Sequence, residues 1–272
     1  MLEADQIAAL RVEAGAPAHL HRRDPGDRLG LSDKAQAVRV LEELHGRLRD
    51  LQERLWADRS MGVLVVLQSL DAGGKDGTIR SVFTGVNPQG VRVASFRAPT
   101  DAERAHDYLW RVHAEAPPAG EIVIFNRSHY EDVLAVRVHQ LVPETRWRRR
   151  YRHIREFERM LVDEGVSIVK VHLHVSKDEQ KKRLEERIAD PTKRWKFRRG
   201  DLEDRARWHD YGDAYEEALT ETSTDYAPWY VVPSDHESVR NVVVARLLVD
   251  TLEQLNPRYP PGEAGIESMK ID

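Results

Sequence analysis

Short apolar runs alternate with amphipathic segments along most of the chain, and this alternation predicts the fold. The runs predicted to be buried strands span residues 63–67, 91–96, 121–125, 167–175 and 229–233. Helical periodicity is found at residues 34–57, 77–86, 100–114, 146–165, 177–188, 202–222 and 237–255. Strands that alternate with helices form parallel sheets joined by right-handed crossovers. The pattern predicts an α/β protein with three layers, α/β/α, around a mainly parallel sheet of about five strands.

Helical periodicity is clearest at residues 34–57, where leucines 41, 44, 48, 51 and 55 recur at steps of three and four. Such spacing places them on one face, and the preceding Ser32-Asp33 pair offers an N-cap. Residues 1–33 show little periodicity and several glycines and prolines. We therefore divide the chain into an N-terminal arm, 1–33, and a single domain, 34–272. The arm is expected to cover the domain or a neighbouring subunit.

Composition and charge narrow the possible classes of protein. With 272 residues, 40% of them hydrophobic and 32% charged, the chain is long enough for one large α/β domain. It has no run of about eighteen apolar residues and no basic-then-apolar N-terminal pattern, so we expect neither a membrane span nor a secretory signal. The absence of cysteine excludes disulfides and Cys-based metal sites, which suits the cytoplasm. A formal net charge of −4 argues against a general nucleic-acid partner.

A glycine-rich segment, SLDAGGKDGT at residues 69–78, joins the first predicted strand to a helix. Glycine permits a backbone path on which N–H groups converge on an anion, and the following helix adds its dipole. Ser69 and Asp76 depart from the GxxxxGK[ST] pattern, since they replace the first glycine and the metal-binding hydroxyl. The alternative is a glycine-rich turn with a surface lysine. The position between a buried strand and a helix favours a phosphate-binding loop and a P-loop kinase-like fold.

A second polar segment, NRSHYEDVL at residues 126–134, follows the strand predicted at 121–125. Ligands of open α/β sheets lie at the carboxyl ends of strands, so this segment should lie near the phosphate loop. Glu131 and Asp132, with Asp71 of the loop, provide the oxygens that Mg²⁺ prefers, and Arg127 can bind phosphate. Alternatively, Asn126 or Ser128 caps a helix, with Glu131 completing a capping box. Both interpretations can hold together.

Two cationic segments could contact a polyanion. The first, at about residues 189–208, is expected to be a lid over bound phosphates and carries Lys193, Arg194, Lys196, Arg198 and Arg199. A solvated loop or a single-stranded nucleic-acid site are the alternatives. The second is the arginine stripe, which we define as Arg148, Arg152, Arg155 and Arg159. These arginines share a helix face whose own row is expected to lack acids, and this face could follow a long polyanion. A solvated face or inter-subunit salt bridges are the commoner explanation.

Together these segments resemble the polyphosphate kinase 2 family. The resemblance spans about residues 41–257 and is carried by LQSLDAGGKDGTIR, GVNPQGVRVASF, FNRSHYEDVL, KRWKF and STDYAPWYVVP. It implies direct, reversible phosphoryl transfer between inorganic polyphosphate and a nucleotide, with Mg²⁺ (or Mn²⁺ in its place) and no covalent enzyme intermediate. It also implies central roles for Asp71, Lys75 and Asp132.

The resemblance extends to the acceptor. Members with Tyr-Glu-Asp-Val-Leu after Asn-Arg-Ser look like those that accept nucleoside monophosphates, whereas members limited to diphosphates tend to carry a neutral residue at the Glu131 position. The chain is most similar to the subgroup that converts AMP to ADP and ADP to ATP, with guanine nucleotides as a further option. We expect a homo-oligomer with no nucleic-acid or membrane partner. An ATP-dependent nucleotide kinase and a non-enzymatic nucleotide- or polyanion-binding protein remain the rivals.

The predicted site therefore consists of three groups. The predicted catalytic residues are Asp71, Lys75, Arg127, Glu131 and Asp132, of which Asp71 and Asp132 are the predicted metal ligands. The predicted phosphate- and nucleotide-binding residues are Ala72, Gly73, Gly74, Lys75, Asp76, Gly77, Asn126 and Arg127. The five cations of the lid form the third group and are expected to bind polyphosphate.

Overall fold

One mixed, mainly parallel sheet organises the chain. A computed structural model describes residues 2–269 and residue 271. Within them the strands are β1 (Arg11–Val12), β2 (Gly62–Gln68), β3 (Val91–Ser95), β4 (Ile122–Asn126), β5 (Val166–His174) and β6 (Trp229–Pro233). Their order across the sheet is β1-β6-β5-β2-β4-β3. Every pairing is parallel except that of β1 with β6. The predicted α/β class is confirmed.

Helices cover both faces of the sheet. They are α1 (Ala4–Ala8), α2 (Lys34–Asp58), α3 (Lys75–Val82), α4 (Asp101–Arg104), α5 (Trp110–His113), α6 (Ala135–Val138), α7 (Glu144–Asp163), α8 (Lys177–Ala189), α9 (Arg199–Ala206), α10 (Trp208–Thr222) and α11 (Glu237–Leu255). Val63, Val65 and Leu67 of β2 pack into one core with α2 and α11, whereas Leu64 and Val66 pack into the other with α7 and α10. This alternation builds the three predicted layers. No helix among the described residues is long and apolar enough to cross a bilayer.

Helix α2 forms as its leucine spacing predicts. Asp33 caps it by accepting a hydrogen bond from the Gln36 amide at 2.8 Å, as the sequence predicted. Leu44, Leu48 and Leu55 are almost completely buried, and the helix packs along α11. The leucine stripe therefore covers the core of this same chain.

Two segments that the sequence predicts to be single helices are each divided into two helices. Residues 100–114 form two short helices, α4 and α5, because the Asp107 carboxylate accepts from the amides of Leu109 and Trp110 and restarts the chain there. Residues 202–222 are divided between α9 and α10 at Arg207, whose guanidinium donates to the carbonyl of Val138. The contact at Asp107 is local and that at Arg207 joins residues far apart in the chain, and apolar periodicity reports neither.

The N-terminal segment before α2 packs on the domain of its own chain. Its strand β1 adds a sixth strand to the sheet beside β6. Arg23 holds the segment together, since its guanidinium donates to the carbonyls of Ala9, Leu10, Arg11 and Ala18. Leu2, Ile7 and Leu10 are buried in the core that contains α2. Residues 2–33 thus contribute buried side chains as well as a strand.

Candidate active site

The glycine-rich loop and the second polar segment meet at one edge of the sheet. Strands β2 and β4 are parallel neighbours with Leu67 opposite Asn126, so their carboxyl ends lie side by side. Beyond that edge, Asn126 Nδ2 donates to Asp76 Oδ1 at 2.9 Å. Sequence reasoning placed both segments at strand ends, and the parallel pairing brings them into contact.

Every backbone carbonyl from Ser69 to Gly74 accepts a hydrogen bond from a protein donor, and those of Asp71, Ala72 and Gly73 accept from distant parts of the chain. The donors, in order along the loop, are Lys75 Nζ to Ser69 and Leu70, Gln180 Nε2 to Asp71, Arg183 Nη1 to Ala72, Ser234 Oγ to Gly73, and the Thr78 amide to Gly74. Positive φ at Ala72 (61°) and Gly74 (109°) allows the chain to turn this tightly. The Gly73 amide donates to the carbonyl of Leu70, so the other loop amides and the first turn of α3 are the groups that could bind an anion.

Lys75 lies inside this loop. Its side chain is buried, and Nζ donates to the carbonyl of Ser69 at 2.6 Å and to that of Leu70 at 3.2 Å. Burial lowers the pKa of the ammonium to about 8, and the positive charge of Arg127 lowers it further. The negative charges of Asp71 and Glu131 raise this pKa and offset part of the decrease. A phosphate in the loop would restore the positive charge, because an adjacent anion favours the ammonium form.

Arg127 connects the loop with the second polar segment. Its backbone has a φ of 60°, which is unusual for a residue with a side chain and frequent at functional sites. Its guanidinium donates to the Asp71 carboxylate and lies 4.0 Å from that of Glu131. Burial opposes ionisation of Asp71, but Lys75 and Arg127 together outweigh it and hold the pKa of Asp71 below its ordinary value.

Glu131 and Asp132 have different partners. They belong to a 3₁₀ turn, His129–Asp132, whose N-cap Ser128 accepts from the Tyr130 amide. Glu131 faces Arg127, whereas the Asp132 carboxylate accepts from Arg150 Nη1 at 2.9 Å. Burial raises the pKa of both carboxyls. The structure therefore joins Asp71 and Glu131 through one arginine and sets Asp132 against another.

The carboxylates of Asp71, Glu131 and Asp132 are chemically suited to bind a divalent metal. Among the residues that the structure describes, no group of three or more His, Cys, Asp or Glu side chains converges as a complete protein cage. Carboxylate oxygens at a phosphate site nevertheless suit Mg²⁺, which is usually held by one or two carboxylates together with water and substrate phosphates. Asp71, Glu131 and Asp132 are each partly exposed at this edge.

A buried ion pair supports the turn that carries Glu131 and Asp132. Lys170 Nζ, on β5, donates to Glu158 at 2.6 Å, to the Tyr130 hydroxyl at 3.0 Å and to the carbonyl of Thr222 at 2.7 Å. Tyr130 also donates to Glu158 at 2.7 Å. Sequence reasoning missed this network, although a lysine within the apolar run of β5 was a usable signal. The network fixes Tyr130 and with it the neighbouring acids.

The predicted lid lies between α8 and α10. Its Lys196 reaches the phosphate loop, with Nζ 2.9 Å from Asp76 Oδ2. Lys193 pairs with Asp190, and Arg194 donates to the carbonyl of Ile188, so both contact the lid itself. Arg198 and Arg199 stand at the start of α9, where the Arg198 amide donates to Asp201. Of the five predicted cations, Lys196 is the one that the structure brings to the loop.

The arginine stripe on α7 is paired with acids, which corrects the expectation that its own row lacks them. Arg148, Arg152 and Arg159 pair with Glu144, Glu156 and Asp163, one helical turn away, and Arg155 pairs with Glu221 of α10. Arg148 has a second partner, Glu217. These pairs favour the alternative of a solvated helix face.

Three residues that set the loop carbonyls were missed from the sequence. Gln180 and Arg183 lie three residues apart on α8 and so share a face, while Ser234 follows β6. Arg183 also donates to the carbonyls of Ser234 and Asp235, which ties the loop to the segment between β6 and α11. The helix that leads into the lid thus also shapes the phosphate loop.

Comparison with known proteins identifies the arrangement. The family described as polyphosphate kinase 2 matches residues 31–260. An AMP/ADP-polyphosphate phosphotransferase of Meiothermus ruber is 58% identical over 263 residues, 96% of this chain and 98% of that protein. An ADP-polyphosphate phosphotransferase of Rhodopseudomonas palustris is 47% identical over 79% of this chain and 78% of its own.

A solved structure agrees with these sequence matches. The crystal structure of polyphosphate kinase 2 from Arthrobacter aurescens TC1 superposes with a TM-score of 0.92 at 42% identity, covering 97% of this chain and 94% of that one. The P-loop kinase-like fold and the resemblance found in the sequence are thereby confirmed. The chain belongs to the polyphosphate kinase 2 family and is a phosphotransferase.

Proposed function

We propose that this protein transfers phosphoryl groups reversibly between inorganic polyphosphate and adenine nucleotides, converting AMP to ADP and ADP to ATP. The observation that carries the proposal is the phosphate loop, whose carbonyls are all occupied by protein donors and whose lysine is buried against them. Arg127 then stands between the loop and the acidic turn. In this proposal the site binds two sets of phosphates, those of polyphosphate and those of the nucleotide.

The mechanism follows from where the charges lie. A terminal phosphate oxygen of the nucleotide attacks the terminal phosphorus of polyphosphate, and the bridging P–O bond of that phosphorus breaks. The electron pair leaves with a polyphosphate chain shortened by one unit. No general base is needed, because the attacking oxygen is already anionic. Phosphoryl transfer of this kind is catalysed mainly by positioning and charge stabilisation.

Named side chains supply that stabilisation. Lys75 exchanges the carbonyls of Ser69 and Leu70 for oxygens of the transferred phosphoryl group. Arg127, which binds Asp71, bridges the donor and acceptor sides of the site. The lid cations neutralise the remaining polyphosphate charge, and Lys196 leaves Asp76 to join them. Each of these roles is part of the proposal.

A divalent metal completes the proposed reaction. Kinases of the polyphosphate kinase 2 family generally depend on such an ion. We assign Mg²⁺, with Mn²⁺ as a substitute, to carboxylates of Asp71 and Asp132, with Glu131 on the acceptor side. Bound there, the ion would offset charge on the phosphate oxygens. Asp132 must then share its carboxylate with Arg150.

The acceptor range rests on two observations. The acidic residue implied for monophosphate acceptors, Glu131, is present and lies in the site beside Arg127. The relative named for both AMP and ADP is 58% identical, whereas the one named for ADP alone is 47% identical. Guanine nucleotides remain a second option for the base. We further propose that the protein is a cytoplasmic homo-oligomer with no nucleic-acid or membrane partner.

The deciding experiment supplies AMP or ADP to the purified protein with Mg²⁺ and long-chain polyphosphate as the sole donor. Formation of both ADP and ATP from AMP would support the full proposal. ATP formed only from added ADP would retain polyphosphate as donor but contradict the role of Glu131. Turnover with ATP and none with polyphosphate would favour an ordinary nucleotide kinase, and binding without turnover would favour a nucleotide- or polyanion-binding protein.

A further inference from the structure

An arginine outside the recognised motifs lies directly against the phosphate loop. Arg240, on α11, is 1% exposed. A Cβ atom built on Gly74 would overlap Nη1 of Arg240 and lie 2.8 Å from its Cζ, and one built on Gly77 would lie 3.3 Å from Nη2. The two glycines therefore leave the space in which the guanidinium packs against the loop and the first turn of α3.

The guanidinium is incompletely paired. Its Nε and Nη2 donate to Asn241 Oδ1, and Nη2 also donates to Glu237 Oε1 at 3.2 Å. The Glu237 side chain is 70% exposed, so this carboxylate offsets little of the buried charge. Across residues 2–269 and 271, Nη1 makes no hydrogen bond to the protein. Burial lowers the pKa of Arg240 to about 10, partly offset by Glu237.

The surroundings make a positive charge unfavourable here in the free protein. The N-terminus of α3 carries a partial positive charge of its own. Lys75 lies in the same loop, and Arg183 donates to the loop carbonyl of Ala72. A buried cation beside a helix N-terminus and beside Arg183, with an exposed carboxylate as its charged partner, is costly without a further anion. A phosphate bound in the loop is the anion that these charges can share.

We propose that Arg240 is a positioning residue that strengthens binding of the phosphoryl donor through the phosphate loop. Its guanidinium packs against Gly74 and Gly77 and adds a buried positive charge beside the loop amides. The inference rests on the proposed function, in which that donor is polyphosphate. Arg240 does not need to touch the transferred phosphorus to have this effect.

The test measures tripolyphosphate binding by calorimetry and by the ligand-induced rise in Tm. We expect Arg240→Met to weaken binding by about tenfold, the order expected for removing a unit charge several ångströms from an anion in a partly buried site. Arg240→Lys, which keeps the charge, should recover most of the affinity. With saturating polyphosphate and ADP, kcat of Arg240→Met should stay within about threefold of wild type, since the charge acts on binding.

Arg246→Met is the matched control, because Arg246 lies on the same helix and pairs with Asp250. It should bind tripolyphosphate like wild type. A lower Tm for Arg240→Met without ligand, together with unchanged affinity, would reveal a purely structural role and overturn the inference. Equal loss of affinity in Arg240→Lys and Arg240→Met would also overturn it. Failure of the proposed function would appear separately, as wild-type protein that binds tripolyphosphate but does not phosphorylate AMP or ADP from polyphosphate.

Discussion

The arginine stripe of α7 and the phosphate loop both concentrate positive charge, yet they differ in what surrounds each cation. On α7, Arg152 and Arg159 stand on the surface, each beside an acid of its own helix. At the loop, Lys75 is buried and donates to backbone carbonyls, and Arg240 is buried with one exposed acid for a partner. Exposed pairs are screened and nearly neutral, whereas buried cations produce a strong local field.

This difference shows that the number of cations in a segment does not locate a polyanion site. A paired, hydrated arginine must lose its acid and its water before it can bind phosphate. A buried lysine held by weaker carbonyl acceptors gains an anion at little cost. If burial and pairing separate the two regions, substitutions at the loop should change activity strongly and substitutions on the stripe should change it little.

Lys75→Ala should have the largest effect on activity. In the proposed mechanism it removes the charge nearest the transferred phosphoryl group, and loss of one such stabilising group lowers turnover by about 10²–10³-fold. Steady-state kinetics with polyphosphate and ADP measures the loss, with circular dichroism to confirm an intact fold. Near-normal turnover in a folded Lys75→Ala enzyme would contradict the assignment of the loop.

Asp132→Asn should lower kcat/KM by about 10–100-fold and weaken the dependence on Mg²⁺, as expected when a metal-binding group is changed. The amide oxygen can still accept from Arg150, so the fold should be retained. Asp163→Asn, which changes an exposed acid paired with Arg159 on the stripe, is the matched control and should behave like wild type. An unaltered Mg²⁺ titration in Asp132→Asn would exclude Asp132 as a ligand.

Raising the pH should weaken polyphosphate binding. The folded-state pKa of Lys75 is lowered to about 8, so the free enzyme loses this charge above pH 8. The bound phosphate favours the charged form, and KM for polyphosphate should rise by up to about tenfold per pH unit there. Lys75→Arg, whose side chain stays charged, should show a flatter profile. Identical profiles in the two proteins would show that another group is responsible.

The same lowered pKa affects stability with the opposite sign. Unfolded Lys75 titrates near its ordinary value of 10.5, so between pH 8 and that value the unfolded chain binds more protons than the folded one. The contribution of Lys75 to the free energy of unfolding should therefore increase with pH across this window. Urea titrations of wild type and Lys75→Met, compared between pH 8 and 10, measure it, and the difference between the two proteins should change in that direction.

Neutralising the stripe should have the smallest effect. Arg152→Gln with Arg155→Gln removes one exposed and one half-buried arginine, both paired with acids. We expect KM to change less than about twofold for short and long polyphosphate alike. The measurement compares KM for tripolyphosphate with KM for a chain of hundreds of units. A rise in KM for the long chain alone would indicate that the stripe binds polyphosphate, and would contradict the view that paired surface arginines contribute little.

Much of the fold could be predicted because apolar periodicity reflects burial directly. The five predicted strands are present with ends shifted by at most one residue. The strand β1 could not be predicted, because two residues paired at a sheet edge leave no periodic signal. The breaks at Asp107 and Arg207 were missed because the polar contacts of these residues leave no trace in apolar periodicity.

Residue types at fixed spacing along the chain were enough to predict the phosphate loop and its acidic companion segment and to recognise the family. Which of the charged side chains are available to a ligand depends on the folded chain. In the folded chain Glu131 lies beside Arg127, Asp132 pairs with Arg150, and the arginines of the stripe pair with acids. Gln180, Arg183 and Arg240 come from distant helices to contact the loop. Burial and pairing arise from contacts between residues far apart in the chain, and local spacing carries no record of them.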